Sequence, residues 1–146
     1  MSKENHRHWT KSSAIPAFTL SAPDHNEELV VMEGGDSGSL SFGPYRSSES
    51  YYPSSSGTVV IHGNSHLNFL KDINLNDQII INDNMGSQYN YVVEGVGIID
   101  LEEEQVEVVE ETEELKLLTT WPFGLVDEQN SLRFMVTAKK DESDQN

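Results

Sequence analysis

Apolar residues gather in short β-type runs along this chain, and Gly, Pro, Ser or Asn clusters bound each run. The pattern predicts strands at 17–22 (AFTLSA), 28–32 (ELVVM), 58–62 (TVVIH), 77–82 (DQIIIN), 88–100 (QYNYVVEGVGIID), 105–109 (QVEVV), 115–121 (LKLLTTW) and 132–138 (LRFMVTA). Gly95 and Gly97 fall inside the longest run, where glycine marks a bulge or a corner. About eight short strands with turn residues between them predict a mainly β domain, a closed barrel or a sandwich. Helix is scarce. Its best candidate is 65–73 (SHLNFLKDI), with Ser65 as N-cap and Leu67, Leu70 and Ile73 at near-helical spacing. A second turn is expected over 36–43.

Between these two, 44–57 (PYRSSESYYPSSSG) reads as a long surface loop, the kind of segment that lines binding sites. From 102 to 114 the chain runs EEEQVEVVEETEE, an exposed strand or hairpin whose charges discourage edge-to-edge pairing. The expected organisation is a flexible N-terminal arm (1–16), one β domain (17–139) and a polar C-terminal tail (140–146).

Composition narrows the function classes. The 146 residues, 36% hydrophobic, suffice for one domain with a core of ordinary size. Lys and Arg number 9 against 25 Asp and Glu, a formal charge of −16, which repels nucleic-acid phosphates and anionic lipid. The absence of cysteine excludes disulfides, thiolate metal sites and thiol nucleophiles. No run approaches the roughly 20 apolar residues of a membrane span, and the polar start MSKENHRHWTKSS has no apolar leader core.

Several segments carry chemistry on first inspection. GGDSGS (34–39) resembles a protease nucleophile segment but lacks room upstream for the partner His and Asp, so a glycine-rich turn explains it. DINLND (72–77) starts like a calcium loop, yet Asp77 and Asp83 occupy the positions where Gly and Glu are required; a helix-to-strand turn is the better reading. No metal site and no cofactor is expected. His62 and His66 flank Gly-Asn-Ser, and Gly63 disfavours a shared helix face for a metal. Arg133 opens the last strand in apolar surroundings, and Thr120 ends the run before Trp121-Pro122-Phe123. His62, Thr120 and Arg133 all lie at or near strand ends, where a barrel can gather acid/base, nucleophile and oxyanion stabiliser.

Together these segments resemble the sortases, cysteine transpeptidases that join surface proteins to cell envelopes, and in particular their proteobacterial and class D-like branch. LLTTWPFG and SLRFMVTA are similar to the family's Thr-Cys-(Tyr or Trp)-Pro-Phe and Leu-Arg-(Phe or Tyr)-Val-Val strands, at the family's spacing. TVVIHGNSHLNFLKDINLNDQIII resembles the segment of the catalytic histidine, and LSFGPYRSS the Gly-Pro turn ahead of it. The resemblance runs from about Ala17 to Lys139. It implies a closed or nearly closed eight-stranded β-barrel with one or two short helices, an extracytoplasmic setting (membrane-anchored or periplasmic at full length), and a sorting-signal peptide of a secreted protein as partner. It places His62 on the catalytic histidine, with His66 structural, and Arg133 on the catalytic arginine. Val60-Ile61 replace the family's small Ala-Gly pair, so a shifted alignment leaves that histidine position empty. Thr120 stands where the family has its nucleophilic cysteine. Tyr45, Tyr51, Tyr52 and Trp121 are the expected peptide contacts.

A secondary alcohol is far less acidic than a thiol and needs a strong adjacent base, and a β-branched threonine is crowded around its oxygen. The expected function is therefore a catalytically degenerate, peptide-binding member. Its alternatives are an active transpeptidase, its cysteine exchanged by engineering or its nucleophile Thr120 itself, and a purely structural or interaction barrel.

Overall fold

The computed structural model describes residues 15–33, 43–63, 65–123 and 130–141. The expected turn at 34–39 lies outside them, as do most of the arm and of the tail. Eight strands form: β1 (Ile15–Ala22), β2 (Glu27–Glu33), β3 (Tyr45–Arg46), β4 (Val59–His62), β5 (Gln78–Asp83), β6 (Gln88–Asp100), β7 (Glu114–Thr120) and β8 (Leu132–Lys140). They close into a mixed barrel in the order β1-β2-β3-β4-β7-β8-β6-β5, and the β1–β5 ladder makes the closure. Only β2–β3 and β4–β7 are parallel.

The barrel interior is the core. Alternate residues of each strand point inward, and Phe18, Leu20, Ile61, Ile79, Tyr91, Leu117 and Val136 are among those fully buried there. Each such aliphatic side chain contributes about 1.5–3 kcal/mol of burial free energy. The Ser65–Asp72 segment adds Leu67 and Leu70 to this core. It forms as a 3-10 helix kinked at Leu67, and the three-residue spacing of its two buried leucines suits the three-residue turn of that helix. The bulge predicted around Gly95 is present, as a register shift of β6 against β8 between Val93 and Gly95, whereas Gly97 stays in register.

Two local expectations are corrected. The QVEVV run forms no strand; it crosses the outside of the sheet with Val106 and Val108 packed on Val60 and Leu118. Its alternation is real, but its inward face covers another sheet face; the isolated Gly57–Glu110 bridge lies just past its end, where the Thr58 amide donates to the Val109 carbonyl at 3.2 Å. Conversely, Tyr45 and Arg46, expected in a loop, form the two-residue strand that links β2 to β4. The turn reading of DINLND is shown: the Asp77 amide donates to the Asn74 carbonyl at 3.1 Å, and Asn76 takes φ 75°.

Candidate active site on the outer face of the barrel

Register alone brings the candidate residues together. His62 is the Cα partner of Leu118, and Thr120 that of Arg133. Paired residues point to the same side of a sheet, as do residues two apart on one strand, so His62, Thr120 and Arg133 share a face. Strand spacing puts the His62 and Thr120 Cα atoms about 8 Å apart. Tyr45, partner of His62 on β3, joins them, its ring stacked on the imidazole at 5.3 Å between centroids. The face is the outer one, because the intervening Ile61, Leu117 and Thr119 point into the core.

Local structure fixes each group. After His62 the Gly63 amide donates to the Leu118 carbonyl at 2.9 Å, extending the parallel pairing by one step. A Cβ on Gly63 would lie 2.7 Å from Leu67, so only glycine lets the helix pack this close behind the histidine. Arg133 donates from Nη1 to the Asn130 and Leu132 carbonyls at 2.9 and 2.8 Å. No carboxylate pairs with it among the described residues. Asn130 also donates to the Trp121 carbonyl at 2.7 Å, tying the end of β7 to the start of β8.

The electrostatics follow from half-burial. Burial first, and the Arg133 guanidinium second, push the His62 pKa from 6.5 down to about 4, so the imidazole is neutral at physiological pH. Burial also lowers the Arg133 pKa, while nearby Tyr45 opposes the shift. The Arg133 cation beside a neutral imidazole is suited to stabilise an oxyanion or to hold a thiolate. For an alcohol the imidazole is a poor match, because a base whose conjugate acid titrates near pH 4 has little driving force to deprotonate Thr120.

The remaining expected contacts are placed differently. The Tyr51 ring packs over Gly57, where a Cβ would come within 2.3 Å of it. Tyr52 donates its hydroxyl to Glu33 and lies under the Arg46 guanidinium, 3.8 Å from its ring centroid. Trp121 packs on Phe134 and Phe123 at 5.9 and 5.2 Å between centroids. His66 is exposed at the start of the helix. Sequence reasoning missed Arg46, buried and bound to Glu33 and to the Ser47 and Ser50 carbonyls, which pins the 44–57 loop. It also missed Lys116, whose ammonium donates to the Glu107 carbonyl at 3.2 Å and holds the 101–113 loop over the sheet. The available signal was Lys116 standing alone among apolar neighbours. Among the described residues no three His, Asp or Glu side chains are grouped to hold a metal ion.

Comparison with known proteins gives the family and the fold. A family model described as the sortase domain matches residues 20–141, and the chain belongs to the sortase family. Sortase D of Bacillus subtilis (strain 168) is 30% identical over 110 residues; the match takes in 73% of this chain and 55% of that protein, so the chain spans about half its length. Sortase A from Corynebacterium diphtheriae superposes with a TM-score of 0.76 at 23% identity, over 92% of this chain and 64% of that one. Clostridium perfringens sortase C, solved with the C-terminal cell wall sorting motif, gives 0.72 at 16% identity, over 84% and 69%. These structures share the eight-stranded fold. The chain has no cysteine, so the family's thiol nucleophile is absent from it.

Proposed function

We propose that this chain is a class D-like member of the sortase family that binds an extended sorting-signal peptide without turning it over. The carrying observation is that Tyr45, His62, Thr120 and Arg133 share one face at strand ends, in a chain without a thiol. The 30% identity to a sortase D supports the class, and the sorting motif in the sortase C structure supports the ligand type. Arg133 binds a peptide carbonyl, His62 accepts or donates a hydrogen bond beside it, and Tyr45 packs on the peptide. Tyr51, Tyr52 and Trp121 are engaged elsewhere, against Gly57, Glu33 and Phe134, and are not among the proposed contacts. The strand-walled site suits a ligand bound through its backbone. By family analogy the full-length protein works outside the cytoplasm, anchored to the membrane or in the periplasm; among the described residues no helix is long and apolar enough to cross a membrane.

Fluorescence anisotropy with a labelled sorting-type peptide, followed by intact mass measurement, tests this reading. Saturable binding that weakens about 10-fold in Arg133→Ala, with no covalent adduct, is expected. An acyl adduct on Thr120 would show an active transpeptidase, and absence of binding would leave a structural barrel.

A further inference from the structure

The 101–109 segment does more than cover the sheet. Between it and β4 lies a cavity of about 280 Å³ that opens beside His62. Val60, Val106 and Val108 form its apolar side, and Glu49 and Glu104 its exposed rim. Glu49, Val106 and Val108 also line a second space of about 560 Å³, which Glu107 borders, so the groove continues outward along the loop. Neither the Glu49 nor the Glu104 carboxylate is in an ion pair among the described residues. Among the described residues no Lys or Arg lines either space. His62 supplies no positive charge near neutral pH.

An apolar side with an acidic, cation-free rim is complementary to one kind of side chain: a long aliphatic stem ending in a positive charge. We propose that the groove beside His62 selects a peptide ligand carrying a Lys or Arg side chain, its methylenes on Val106 and Val108 and its cation between Glu49 and Glu104. The proposal rests on the reading of the His62 face as a peptide site. It adds a charge requirement, set jointly by Glu49 of the 44–57 segment and Glu104 of the 101–109 loop, beyond the residues of that face. Both carboxylates are exposed, so each contributes modestly and in a salt-dependent way.

Two probes test it on the whole chain. Amide spectra are recorded during titration with pentylammonium, pentanol and pentanoate at equal ionic strength. In parallel, sorting-type peptides carrying Lys, norleucine or Glu at the position facing the loop are titrated by anisotropy. The expected result has two parts. Pentylammonium shifts the Val106, Val108 and His62 amides at concentrations about threefold below pentanol, with pentanoate inert. The Lys peptide binds about fivefold tighter than its norleucine twin and tighter still than the Glu peptide. Both preferences fall below twofold in the double variant Glu49→Gln/Glu104→Gln, whose melting temperature should match the parent. Peptide binding without a Lys preference overturns the inference and leaves the peptide-site reading intact. A pentylammonium preference with no peptide binding sinks the peptide-site reading, and the inference with it, and reduces the groove to a small-cation site.

Discussion

His62 is the residue whose environment has the most measurable consequence. Its folded pKa, about 4, lies below its ordinary 6.5, so between those values the unfolded chain binds the extra proton and folding stability rises with pH. Above pH 6.5 the residue is neutral in both states and contributes no further pH dependence. Replacing it by Gln should therefore abolish an acid-side loss of about 2–3 kcal/mol between pH 6.5 and 4. Denaturant unfolding of parent and His62→Gln across that range checks this, since other groups titrate alike in both and cancel in the difference. A difference that stays constant with pH would mean that the imidazole is not desolvated. The same shift bears on the proposed loss of turnover: burial and Arg133 weaken the base that an alcohol at Thr120 would need.

Among the elements, the 101–113 loop is the one that periodicity misread. Val106 and Val108 alternate with polar residues as a strand does, yet they pack face-on over Val60 and Leu118. A period-two pattern reports which side is buried and says nothing of whether the backbone has a neighbour to pair with. β3 was illegible for the opposite reason, because two residues cannot show a period. The longer strands and the bulge near Gly95 were legible, since each carries enough alternation to fix its faces. The loop's position depends on Lys116, which donates to the Glu107 carbonyl, and on Thr58, whose hydroxyl accepts from the Val109 amide at 3.0 Å. Lys116→Met keeps the methylenes and removes the donor, so it should cost about 1 kcal/mol and speed exchange of the Val109 amide several-fold. Hydrogen exchange of the variant checks this; an unchanged Val109 amide would show that apolar packing alone holds the loop.

At the scale of the whole molecule, the mixed barrel order brings three remote segments onto one face of the sheet. β4 and β7 lie parallel and β8 antiparallel, so His62, Thr120 and Arg133 meet although 58 and 13 positions separate them in turn. The strand ends and the Trp-Pro-Phe and Leu-Arg-Phe spacing made these three residues legible in the sequence. The pairing order was not, because it depends on the parallel crossover between β4 and β7. Arg46 was missed because a buried arginine in a Ser-rich segment has no periodic signature. The account's central claim is that the site retains its base and its cation and lacks only its thiol. Thr120→Cys tests it most directly, because the substituted chain contains one thiol and the exchange is close in size. Alkylation by iodoacetamide at pH 7 should run about 10-fold or more faster than at a cysteine placed on an exposed surface, with Arg133→Ala removing most of the gain, as for a thiolate held beside a cation. A rate equal to that of the exposed control would contradict the claim.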